Sequence, residues 1–102
     1  MPRFEASALR GYCVSVLTAS GVERSCAEAV ADALIDAELT GVSTHGVSRL
    51  AVYMQRMDAG VMSRENNIRI VRESTSTLVV DAGNSLGAAA AKFAMERCIA
   101  KA

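Results

Sequence analysis

The chain's only histidine, His45, lies in the ten-residue run Gly41 to Leu50, G-V-S-T-H-G-V-S-R-L. Two hydroxyls, Ser43 and Thr44, precede it; Arg49 follows four positions on, and Tyr53 four positions after that. An imidazole titrates near about pH 6.5, so it can protonate a carbonyl oxygen or take the proton back from a hydroxyl. A guanidinium holds a carboxylate through two parallel hydrogen bonds. His45 and Thr44 are the candidate catalytic pair, with the Thr44 hydroxyl orienting the ring or relaying a proton. Ser43, Arg49 and Tyr53 are the candidate substrate-binding residues. The chemistry that fits is proton transfer to or from a carbonyl, hydroxyl or imine group next to a carboxylate: a 2-hydroxy acid, a 2-oxo acid or a cyclic imino acid.

These side chains need elements to hold them. Leu9, Tyr12, Cys13, Val16 and Leu17 recur with the period of an amphipathic helix, which Ser20-Gly21 would end. Ala27, Val30, Ala31, Leu34 and Ile35 repeat the pattern in a second helix stopping near Gly41. A third is expected from His45 to Asp58, with Ser43 or Thr44 as N-cap and Gly60 beyond its end. On it, Val47, Leu50, Met54 and Met57 fall on one side, and His45, Arg49, Tyr53 and Arg56 on the other. This puts His45 in the first helical turn, where free N–H groups favour an anion. Ile68–Val71 and Thr77–Val80 are β-prone runs around the polar stretch Glu73–Ser76, which suggests a hairpin. An alanine-rich helix from Leu86 to Lys101 follows. The expected fold is α+β: three helices, a short β-hairpin and a C-terminal helix.

The chain has 102 residues, room for one small domain with a modest core. Lys plus Arg and Asp plus Glu are equal at 11 each, a balance that argues against a nucleic-acid partner. No apolar run is long enough to span a bilayer, and the N-terminus has no apolar signal region. Cys13, Cys26 and Cys98 lack metal-ligand spacing and read as reduced thiols, small buried apolar residues of a cytoplasmic protein.

Three other patterns compete for a function. Residues 37–50 follow the spacing of a helix-turn-helix DNA-binding module, with Gly41 at the turn. Against it, Glu28, Asp32, Asp36 and Glu38 load the would-be first helix with negative charge, and Gly46 interrupts the recognition helix. Gly83-Asn84-Ser85-Leu86-Gly87 has the form of a nucleophile elbow, but no histidine follows it, and a strand-to-helix turn accounts for the glycines. Glu28, Asp32 and Asp36, spaced four apart, read as a helix face that is solvated or neutralised by basic neighbours, so no metal site is expected.

The run Gly-x-x-Ser/Thr-His-Gly-x-x-Arg-Leu-x-x-Tyr resembles the signature of the malate/L-lactate dehydrogenase family, which is distinct from the Rossmann-fold lactate dehydrogenases. The likeness extends through Ala33–Gly41, through Y-M-Q-R-M-D-A-G at Tyr53–Gly60, and through L-V-V-D-A-G-N-S-L-G with the later A-M at Leu78–Met95. The resemblance implies an NAD- or NADP-dependent oxidoreductase, usually homodimeric, moving a hydride between the nicotinamide and a small 2-hydroxy or 2-oxo acid. It implies His45 as proton donor and acceptor, Thr44 as the hydroxyl beside it, Arg49 on the substrate carboxylate and Tyr53 in the substrate pocket. Ser43 replaces a frequent aspartate and Ala51 a frequent proline. Family chains are much longer, and no G-x-G-x-x-G follows a strand here. Residues 1–102 therefore read as an N-terminal, substrate-side segment whose nicotinamide-binding domain lies outside this chain. Alone, such a segment is expected to be an inert interaction fragment that exposes apolar surface and self-associates.

Overall fold

The computed structural model describes residues 2–102. Helix α1 spans Ala6–Ala19 and α2 spans Arg24–Leu39; a 3-10 turn at Ser43–His45 leads to α3, Arg49–Asp58. Strands β1 (Arg69–Glu73) and β2 (Leu78–Asp81) form an antiparallel pair, and α4 runs from Gly87 to Lys101. The expected order of three helices, hairpin and helix is what the chain adopts.

Helix α2 is the hub, packed against both α1 and α4. Cys26, Ala27, Ala29, Val30, Ala31, Leu34 and Ile35 are all buried on it. Its alanines let the neighbouring backbones approach, while Leu17 and Cys13 of α1 and Leu86 and Ala89 at the start of α4 complete the core. On α1 the buried face is Cys13, Val14 and Leu17; Tyr12, expected to face inward, is exposed. Cys98 is also exposed, so only Cys13 and Cys26 serve as small apolar core residues. Apolar burial at about 25 cal/mol per Å² makes this three-helix contact the main stabilising feature.

The way α2 ends decides where the histidine goes. Thr40 caps the helix and Gly41 follows with φ +81°, a conformation that glycine adopts without strain. The Gly41 N–H donates to the Glu38 carbonyl (3.2 Å) and the Val42 N–H to the Ala37 carbonyl (2.8 Å). These two bonds make a Schellman closure, which satisfies the last carbonyls and turns the chain sharply away from the helix axis. Residues 43–48 therefore stand against the end of α2.

In the hairpin, Arg69 pairs with Asp81, Ile70 with Val80, Arg72 with Val79 and Glu73 with Leu78, leaving a bulge at Val71. Lys101, at the end of α4, donates to the Ser74 carbonyl (2.6 Å) and pairs with Glu73 (3.0 Å), tying the helix to the hairpin. No described helix is long and apolar enough to cross a membrane. Phe4, Leu39, Val61, Met95 and Ile99 are large apolar side chains at least 60% exposed.

Candidate active site

His45 is not in the first turn of α3. It is the last residue of the 3-10 turn, and α3 begins only at Arg49, with Ser48 as an N-cap that makes no side-chain capping bond. Neither Ser43 nor Thr44 caps the helix. The physical reason is the neighbouring Gly46–Val47 backbone, which is drawn toward α2. The Val47 N–H donates to Glu38 Oε1 (2.9 Å) rather than entering a helical ladder. The turn is then stitched locally: the His45 N–H reaches the Val42 carbonyl (3.0 Å), the Gly46 N–H the Ser43 carbonyl (3.1 Å) and the Arg49 N–H the Gly46 carbonyl (2.9 Å). The Ser48 hydroxyl also donates to the Ser43 carbonyl (3.2 Å).

This turn brings the expected catalytic pair together. Thr44 Oγ1 lies 3.1 Å from His45 Nδ1. Bonding at Nδ1 fixes the ring orientation and leaves Nε2 available, and both residues are exposed. Ser43 is exposed in the same turn and contributes its carbonyl to the bonds just described.

Arg49 and Tyr53, one helical turn apart on α3, form a second group. The Arg49 guanidinium carbon lies 6.0 Å from the Tyr53 ring centre. Both line a cavity of about 250 Å³ with Arg56, Val30, Met62 and Leu86, Gly87 and Ala88 at the start of α4. Among the described residues, no carboxylate lies within ion-pair distance of Arg49 or Arg56. Two free guanidinium groups and a helix N-terminus give the cavity a positive character. No hydrogen bond among the described residues joins His45 to Arg49 or Tyr53, so the proton-transfer pair and the cation pair are adjacent along the chain but separate in contacts. The expected apolar side of α3 is confirmed: Leu50 and Met57 are buried, with Val47 and Met54 packed against the core. Tyr53, on the other side of α3, also packs against this core.

The remaining patterns find structural explanations. The turn at 43–48 stands where the recognition helix of a helix-turn-helix would begin, so residues 37–50 do not form that motif. Ser85 is buried; its hydroxyl accepts the Asn67 N–H (2.9 Å) and donates to the Glu65 carbonyl (3.0 Å), a structural role rather than a nucleophile's. The Gly83 N–H is held by Asp81 Oδ1 (2.8 Å) and the Ser85 N–H by the Ala82 carbonyl (2.9 Å). Of the acidic row on α2, Asp32 pairs with Arg10 (2.5 Å) and Glu28 with Arg24 (3.1 Å), and the described residues contain no metal-binding cluster.

Two features of the site escaped the sequence. The α4 N-terminus behind Arg49 lies far away along the chain and left no local signal. Glu38 counted only as surface charge, although its spacing of nine residues from Val47 is what shapes the turn.

Residues 4–102 match the family model described as malate/L-lactate dehydrogenase. The chain is 37% identical over 89 residues to the L-sulfolactate dehydrogenase of Methanocaldococcus jannaschii, covering 87% of this chain and 26% of that protein. It is also 37% identical over 94 residues to the malate dehydrogenase of Pyrococcus horikoshii, covering 92% of this chain and 26% of that protein. The solved structure of the Pyrococcus horikoshii malate dehydrogenase superposes with a TM-score of 0.93 at 35% identity, over 98% of this chain and 29% of that one. This chain thus spans about a quarter of the length of the relatives it matches. With the family model matched over residues 4–102 and the fold shared with a solved member, the chain belongs to the malate/L-lactate dehydrogenase family.

Proposed function

We propose that this chain is the substrate-side, N-terminal segment of an NAD- or NADP-dependent oxidoreductase that interconverts small 2-hydroxy and 2-oxo acids. The observation that carries the reading is the Arg49 guanidinium, half-buried beside Tyr53 in a cavity that holds a second arginine and no carboxylate partner. Uncompensated positive charge in such a place favours an anionic ligand, and a planar guanidinium suits a carboxylate. Arg49 grips the acid, Tyr53 borders it, and Ser43 lies at the edge of the same turn. His45 gives a proton to the carbonyl oxygen in one direction and removes it from the hydroxyl in the other, with Thr44 holding the ring at Nδ1. The nicotinamide supplies the redox chemistry and is held by residues outside this chain. The whole protein is proposed to be cytoplasmic and homodimeric, and its exposed apolar side chains suit burial against the rest of such an assembly.

The test is NADH and NADPH oxidation by the full-length protein with a panel of 2-oxo acids, each beside its uncharged amide. Turnover of at least one acid and none of the amides supports the reading. Equal turnover of acid and amide removes Arg49 from carboxylate binding, and no turnover of any acid defeats the oxidoreductase reading.

A further inference from the structure

Gly46 follows His45 and is buried, with φ −93° and ψ −147°. A side chain there would meet a neighbour. A Cβ at Gly46 would lie 2.0 Å from Glu38 Oε1, 2.5 Å from Cδ and 2.8 Å from Cγ. The Glu38 carboxyl occupies the space that a side chain there would fill. The same Oε1 accepts the Val47 N–H at 2.9 Å, an N–H that is partly buried and has no helical partner. Glu38 lies in the last turn of α2, and its side chain is half-buried.

We propose that Glu38 is a positioning residue for the reaction: its carboxyl clamps the Gly46–Val47 backbone to α2 and so sets His45 relative to Arg49. This rests on the functional reading above. His45 is one residue before the clamped segment and Arg49 two residues after it, so the two functional side chains leave the clamp in opposite directions along the chain. The clamp works through shape and hydrogen-bond acceptance. The negative charge is not itself used, and Glu38 does not touch the substrate.

The full-length enzyme tests this with four variants. Glu38→Ala leaves the Val47 N–H unpaired and frees the turn, so kcat/KM falls on the order of 10- to 100-fold, as for a misplaced functional group. Gly46→Ala, which drives a methyl group into the carboxyl, falls by a similar factor. Glu38→Gln keeps an acceptor of the same shape and retains kcat/KM within about threefold, with the midpoints of the pH profile unmoved. In the double variant Glu38→Ala/Gly46→Ala the methyl has room, so it is no worse than Glu38→Ala alone, a non-additivity expected of two changes in one contact. Glu38→Gln as impaired as Glu38→Ala, or fully additive losses in the double variant, would overturn the proposal. So would a Glu38→Ala that is less heat-stable but unchanged in kcat/KM.

Amide exchange at Val47 in the same proteins judges the clamp without activity. Protection lost in Glu38→Ala and kept in Glu38→Gln supports it; protection unchanged in Glu38→Ala refutes it. A wild-type enzyme that turns over no 2-oxo acid defeats the functional reading, and the exchange result then decides separately whether the clamp exists.

Discussion

Thr44 Oγ1 sits 3.1 Å from His45 Nδ1 in a 3-10 turn that stands against the end of α2. Whichever of the two atoms donates, the bond holds the imidazole in one orientation. Thr44→Val keeps the branched shape and removes the bond. Losing one modest hydrogen bond predicts a drop in kcat of about 2- to 10-fold with little change in KM. Thr44→Ser, which keeps the hydroxyl, is expected to stay near wild type. Steady-state kinetics of the three full-length proteins decides it, and a Thr44→Val enzyme at full speed would take the hydroxyl out of the mechanism.

Arg49 is predicted to act through its fork as well as its charge. Arg49→Lys keeps the charge but offers one compact ammonium in place of two parallel N–H donors. Loss of one charge-assisted bond is worth about 1.5–3 kcal/mol, so kcat/KM for the acid falls on the order of 10- to 100-fold. The rise in KM is expected to be the larger part. Unchanged kinetics would remove Arg49 from the carboxylate.

The three cysteines should separate by reactivity. Burial pushes the Cys13 and Cys26 thiols above their ordinary range, which lowers their thiolate fraction and closes access. Cys98 is exposed on α4. Alkylation of the native 102-residue chain followed by peptide mass mapping is expected to modify Cys98 first, with Cys13 and Cys26 reacting only after denaturation. Early labelling of Cys13 would contradict the α1–α2 packing.

Asp32 gives a pH dependence with a definite sign. Its hydrogen bond to Arg10 holds its carboxyl below the usual range. A depressed folded-state pKa adds stability above the unfolded value, and this is lost as pH falls through the folded value. Asp32→Asn is therefore expected to lower Tm slightly at neutral pH, the pair being exposed. The two melting curves should converge in acid, well below about pH 3.9, the ordinary aspartate value. A gap that persists there would point to packing instead of the ion pair.

The helices and the hairpin were legible because their patterns are local: apolar steps of three and four residues, glycine after each of the first three helices, β-branched runs around a polar turn. The family motif was legible for the same reason, as it occupies consecutive positions. The start of α3 was not. Periodicity carries a helix back through Val47 to His45, but the Val47 N–H is taken by Glu38, whose side chain meets it only because Gly41 turns the chain back on α2. The packing of Tyr53 against the core was not legible for a related reason. The face of α3 that it occupies lines a cavity with the start of α4, more than thirty residues on, and no spacing within the helix encodes that arrangement.

The most direct test of the account is kcat of the full-length protein for its best 2-oxo acid, compared between wild type and His45→Ala. A lost general acid predicts a fall on the order of 10²- to 10⁴-fold. Turnover by His45→Ala within a few-fold of wild type would contradict the central claim that this histidine moves the proton.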